Sequence, residues 1–347
     1  MKTKRQVRAI SIGFMMLLAT MIVSNAFAAS PTQPIQLTYA TIWPAQHPYA
    51  VGDQRWIDYI EKETKGAVKI KPYYGGTLIS PRESMLEATS GVADIVALNV
   101  VYEKSGVDLT KAQTAFYQGA PDFQTKLKIF WSLWNKFPEL RNEFKNMKIL
   151  GVSAVTSLRL MSKVPINSLV DFKGLRIKAP VETLAVLKHY NAEGVVIPTP
   201  EAAEQLQKGI IRAAFSTAES YKAARLAEVV KYDTNLITIM GLFPEKAMSL
   251  KSWNKLPKDI QKTFEQSGDK WTMFQLEEVE KTAQAGLSFA KQSGVTFSEM
   301  PARDIQAFNT VFDEEALKSA KELDTKGLPG TKMFQEAKRI IKESQKK

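Results

Sequence analysis

Apolar and polar residues alternate with a period of two over residues 35–42 (IQLTYATI) and again over 67–74 (AVKIKPYY), which predicts half-buried strands. Between them Val51, Trp56, Ile57 and Ile60 fall near one face of a helical register that Gly66 closes. The run Ser80-Pro81-Arg82-Glu83 has the form of a helix start. It offers a capping hydroxyl, a proline at the first helical position and an acid to complete a capping box. That helix is predicted to run to Gly91, and the apolar stretch 93–100 (ADIVALNV) then reads as a buried strand. Residues 35–100 therefore read β-α-β-α-β, the pattern of a mostly parallel sheet with helices on its faces.

The grammar repeats in the second half. Strands are predicted at 148–155, 158–162, 174–179, from Gly194 and at 210–216, with helices at 181–190 and from Thr199 to Gly209. Residues 256–294 read as a long helix bent near Gly268, and the charged tail from Pro301 reads as helix. The fold class is α/β, with two similar lobes and helices added at the end. Ligands of open α/β sheets sit beyond the carboxyl ends of the strands, so two such lobes can share one cleft.

The amino terminus changes the picture of where this chain works. Lys2, Lys4, Arg5 and Arg8 precede an apolar run over residues 10–23, and Ala26-Phe27-Ala28 follows. This is the form of a secretory signal cleaved after Ala28. The run is short against the roughly 20 residues of a bilayer span, so a soluble, exported chain is expected. The 347 residues carry a formal net charge of +11, four of the cations lying in the signal. The lysines are spread out and lack the aromatic–basic clustering of a nucleic-acid surface, so a solvated basic surface is expected.

Cysteine is absent and histidine occurs twice, which removes disulfides, thiolate chemistry and a histidine-rich metal site. The glycine-rich phosphate loops, the G-x-S-x-G elbow and the H-E-x-x-H motif are also missing. No cofactor is expected. The candidates for chemistry are the residues flanking the predicted strands: Trp43, His47, Tyr74 and Asn99 in the first half, and Arg159, Lys178, Phe215 and Ser216 in the second. Glu219 and Tyr221 follow the last of these strands and can reach an opening. The set is aromatic, amide, hydroxyl and cation, which suits a binding pocket better than a catalytic centre. Each member also has a plain structural reading. The aromatics suit the core, Arg159 suits an ion pair within its lobe, and Lys178 or Arg176 suits a solvated strand.

The stretch INSLVDFKGLRIKAP (166–180) resembles the segment that marks the periplasmic solute-binding proteins of TRAP transporters, the DctP family. TSLRLMSKVPINSLVDFKG, TPEAAEQLQKGIIRAAFS and KAMSLKSWNKLPKDIQKTF are similar to further stretches of that family. The resemblance implies a two-lobed periplasmic binding protein fold, type II-like, with crossing strands and a long hinge helix. Lobe I would comprise 29–156 plus 245–284, and lobe II 157–244 plus 285–347. It also implies a monomeric receptor without catalysis, which closes on a small organic acid and delivers it to the membrane permease subunits. Lys178 stands where the family's carboxylate-clamping arginine stands, Arg159 on a second family arginine, and Ser216 about where an asparagine often contacts ligand. A lysine is a point charge and lacks the arginine fork. The expected ligand is thus a monocarboxylate with an aromatic or apolar body, ahead of a C4-dicarboxylate. A receptor feeding a sensor kinase and a periplasmic hydrolase using His47 are the alternatives.

Overall fold

The computed structural model describes residues 33–346; the expected signal and its cleavage site lie outside them, as does Lys347. The strands are β1 (Ile35–Ala40), β2 (Val68–Tyr73), β3 (Ile95–Ala97), β4 (Met147–Val152), β5 (Leu158–Ser162), β6 (Arg176–Lys178), β7 (Glu193–Val195), β8 (Ala213–Ser216), β9 (Tyr232–Thr238), β10 (Pro244–Ser249) and β11 (Thr296–Ser298). In the first half the helices are α1 (Pro48–Glu63), α2 (Ser84–Ser90), α3 (Asp108–Gln113), α4 (Phe123–Lys136) and α5 (Pro138–Asn142). In the second half they are α6 (Leu184–His189), α7 (Ala202–Gln207), α8 (Ser220–Ala223) and α9 (Leu250–Trp253). The chain ends in α10 (Lys258–Gln266), α11 (Gly268–Gln292), α12 (Ala302–Thr325) and α13 (Gly330–Ser344).

Two sheets form, ordered β2-β1-β3-β10-β4 and β11-β9-β5-β8-β6-β7. In the first, β10 runs against both β3 and β4. In the second, β5 runs against both β8 and β9. Each sheet thus holds one reversed strand, and each reversed strand is where the chain has just crossed from the other sheet. The two crossings lie side by side: Ser153 N donates to the Phe243 carbonyl at 3.0 Å, and Phe243 N donates to Ser153 Oγ at 3.1 Å.

Helix α11 joins the two halves on one side. Its 25 residues span about 37 Å at 1.5 Å per residue. Its first residue, Gly268, lies so close to the Leu150 carbonyl that a Cβ there would sit 2.3 Å from the oxygen. Near its other end, a Cβ on Gly286 would sit 2.2 Å from the Ala218 carbonyl. The expected bend is a break at Ser267, between α10 and α11. A buried ion pair fixes α11 to the first sheet. Asp53 accepts from Tyr39 Oη (2.5 Å), Trp271 Nε1 (2.7 Å) and Lys246 Nζ (3.1 Å). The Lys246 ammonium lies about 4 Å from the Tyr39 and Trp56 ring centres.

Some expectations change. Helix α2 starts at Ser84 instead of Pro81, and the predicted capping box does not form. Glu103 takes the capping role from a distance, accepting from Ser84 Oγ at 2.6 Å and Met85 N at 2.8 Å. Glu83 is held by Lys104 at 2.6 Å. Strand β8 begins at Ala213, three residues later than predicted, and β9, β10 and the helices between 100 and 146 add to the predicted elements.

Candidate functional site

The strand ends of both sheets converge on one cavity of about 80 Å³, measured as the space open to the centres of water molecules. After β1 the chain brings in Trp43 and His47, and after β3 it brings in Asn99. From the second sheet come Lys178 at the end of β6, Phe215 and Ser216 at the end of β8, and Glu219 beyond it. The crossing segments close the floor with Val155, Met240 and Phe243. These seven sequence candidates therefore lie around one space.

Two candidates lie elsewhere. Arg159 forks onto Asp233, with Nε to Oδ2 at 2.8 Å and Nη2 to Oδ1 at 2.7 Å. Asp233 is fully buried and also accepts from the Tyr221 hydroxyl. Of the two roles open to Arg159, the geometry shows the ion pair within its own sheet. Tyr74 is half-buried outside the cavity and donates its hydroxyl to Gln54 Oε1 at 2.8 Å. Arg176 is exposed and paired with Glu193 at 3.0 Å.

Lys178 is 7% exposed. Its ammonium makes one hydrogen bond, to the Phe215 carbonyl at 3.1 Å, although it carries three donors. Burial pushes its pKa down to about 8, and among the described residues no carboxylate forms an ion pair with it. His47 caps α1: its Nδ1 accepts the Tyr49 amide at 3.3 Å, so the ring proton of the neutral imidazole belongs on Nε2. Burial pushes its pKa down to about 3, which keeps it neutral, and Nε2 has no partner. The imidazole stacks on Trp43 at 4.2 Å between ring centres. Asn99 is turned back onto the Ala97 carbonyl at 3.1 Å.

Two buried acids complete the site. Glu219 accepts from Thr217 Oγ1 through Oε1, while Oε2 has no partner, and burial raises its pKa to about 7. Glu245, at the start of β10, is raised to about 8, first by burial and then by the nearby Asp53 charge. Trp43 Nε1, on the same cavity, is buried without a hydrogen-bond partner. Glu245 was not among the sequence candidates, because β10 itself carried no readable pattern. Tyr49 and Tyr102 also line the cavity unforeseen. No cluster of acids and histidines able to hold a metal occurs among the described residues. No described helix is long and apolar enough to cross a membrane.

Two α/β halves, a long helix joining them and a buried, aromatic-walled cavity with one unpaired cation suit a receptor for a small solute. The comparisons agree. Residues 39–322 match the profile of DctP, bacterial extracellular solute-binding protein, family 7, and the chain belongs to that family. A solute-binding protein of Albidiferax ferrireducens is 25% identical over 232 residues, 64% of this chain and 66% of that relative, just under two thirds of its length. A TRAP periplasmic solute-binding protein of Desulfovibrio salexigens, solved as an open complex, shares 26% identity with a TM-score of 0.71, over 88% of this chain and 95% of that one. A TRAP solute-binding protein of Rhodoferax ferrireducens, solved with copurified benzoate, superposes with a TM-score of 0.80 at 20% identity, over 90% of this chain and 99% of that one.

Proposed function

We propose that this protein is the extracytoplasmic receptor of a TRAP transporter, and that it closes on a small monocarboxylate with an aromatic or apolar body. Lys178 carries this reading: a cation is shut into a cavity with no anion beside it. An unpaired buried charge costs about 3–5 kcal/mol, so the closed form is poor when empty. A carboxylate on the ammonium offsets that cost and shifts the population toward closure. Trp43, His47, Tyr49 and Phe215 provide the walls.

Size narrows the class. One water needs roughly 10–15 Å³ of such space, so the cavity of about 80 Å³ holds a handful of waters, or a compact acid. The Rhodoferax structure holds benzoate, a compact acid of that kind. Relatives of the same fold hold the bulkier D-glucuronate, which this cavity suits less well. A small dicarboxylate would bring two negative charges to one cation and two buried acids.

The proposal also includes export with cleavage after Ala28, a monomer in the periplasm, and delivery to the permease subunits. The bodies that move are taken as 29–156 plus 245–284 and 157–244 plus 285–347. Calorimetry with benzoate, mandelate, succinate and D-glucuronate tests the ligand class. Benzoate or mandelate is expected to bind, and Lys178→Ala to weaken it at least tenfold, about 1.4 kcal/mol. Binding of succinate alone would reject the monocarboxylate, and an unchanged affinity in Lys178→Ala would remove that residue from the site.

A further inference from the structure

Glu219 poses a problem that the carboxylate on Lys178 does not solve. It is 1% exposed and lines the cavity. Thr217 holds one of its oxygens, which fixes the direction of the carboxyl, and the other oxygen is buried without any partner. Buried polar atoms in native proteins are nearly always paired, so a lone one on a ligand cavity marks a place for a ligand atom. Lys178 does not supply the partner. Its ammonium is bonded to the Phe215 carbonyl, and no hydrogen bond joins it to Glu219 Oε2. The cavity therefore has a cationic place and a separate acceptor place.

We propose that the ligand carries a second polar group, a hydroxyl or amino, which donates a hydrogen bond to Glu219 Oε2 while the carboxylate meets Lys178. This rests on the monocarboxylate reading above. It makes Glu219 the residue that separates substituted from unsubstituted acids. A site built to receive a hydrogen bond discriminates strongly against the analogue that lacks it, because a buried group is then left unpaired.

The test is calorimetry on the full mature protein with matched acids: benzoate against 3- and 4-hydroxybenzoate and 3- and 4-aminobenzoate. At least one donor-bearing acid is expected to bind tenfold or more tightly than benzoate; the hydroxyl and amino arms show which donor is preferred. In Glu219→Leu the ratio is expected to collapse toward one. Equal affinities across the set in the wild-type protein would overturn the proposal, with no variant needed. A preference that persists in a folded Glu219→Leu would overturn it too. If none of these acids binds, the monocarboxylate reading fails first. If they bind equally, that reading stands and only the role of Glu219 falls.

Discussion

Lys178 holds a charge in a place that opposes it, and this makes binding sensitive to pH. In the closed form burial lowers its pKa to about 8. A bound carboxylate favours the ammonium, so the closed complex holds this proton more firmly than the closed form without a counter-charge. A free protein that has lost the proton must take one up to bind. Affinity is therefore expected to be flat at neutral pH from this group, and to fall by up to roughly tenfold per unit in the alkaline range where the free lysine loses its proton. Calorimetry across that range, repeated on Lys178→Met, checks the point. Glu219, raised to about 7, titrates nearby, and the variant isolates the lysine's share. A fall in affinity that survives in Lys178→Met would assign it to another group. At this scale the sequence was informative where a side chain directly follows a readable strand, as with Trp43, Lys178 and Ser216. Arg159 was left open between ligand and ion pair, because Asp233 lies on β9, which the pattern did not reveal. Glu245 was hidden for the same kind of reason on β10.

The elements that escaped the sequence pattern share a cause. Strand β10 is buried along its whole length, yet it carries Glu245 and Lys246 in place of an apolar run. Strand β9 likewise buries Asp233 and Thr234. Their polar groups are satisfied by partners distant in sequence: Asp53 for Lys246, Arg159 for Asp233, and the Ile166 carbonyl for Thr234. Local alternation cannot report such pairings, whereas half-exposed β1 and β2 follow it closely. The start of α2 was misplaced for a related reason, since its capping acid, Glu103, comes nearly twenty residues later.

Helix α11 offers a test at this same scale. A methyl at Gly268 or Gly286 would meet a backbone carbonyl at 2.3 or 2.2 Å, and backbone cannot yield as a flexible side chain can. Overpacking of this kind costs typically about 1–3 kcal/mol, so both alanine variants should melt a few degrees lower by scanning calorimetry. Their effects on ligand binding should differ. Gly286 presses on Ala218, beside Thr217 and Glu219 of the cavity, while Gly268 presses on Leu150 in the first sheet. Gly286→Ala is expected to weaken binding and Gly268→Ala to leave it nearly unchanged. Equal losses would mean that the helix acts on the cavity as a whole.

For the whole molecule, the proposed closure falls mainly to the ligand to drive. One link between the two halves is Arg82 to Glu201, at 3.6 Å with both side chains nearly half exposed. Such a surface pair contributes about 0–1 kcal/mol, too little to bury Lys178 unpaired. Small-angle scattering should thus show the radius of gyration fall when a saturating acid is added. An unchanged radius at full occupancy would rule out lobe closure as the capture step. The threading of the chain has a separate outcome. The first sheet needs β10 between β3 and β4, and β10 is made only after every strand of the second sheet except β11. Neither half of the molecule is a continuous segment, so splitting the gene near residue 157 should yield two fragments that do not fold alone. A chain emerging amino end first must keep β3 and β4 apart and unzipped until about one hundred further residues have appeared, which gives holding chaperones a long interval in which to act.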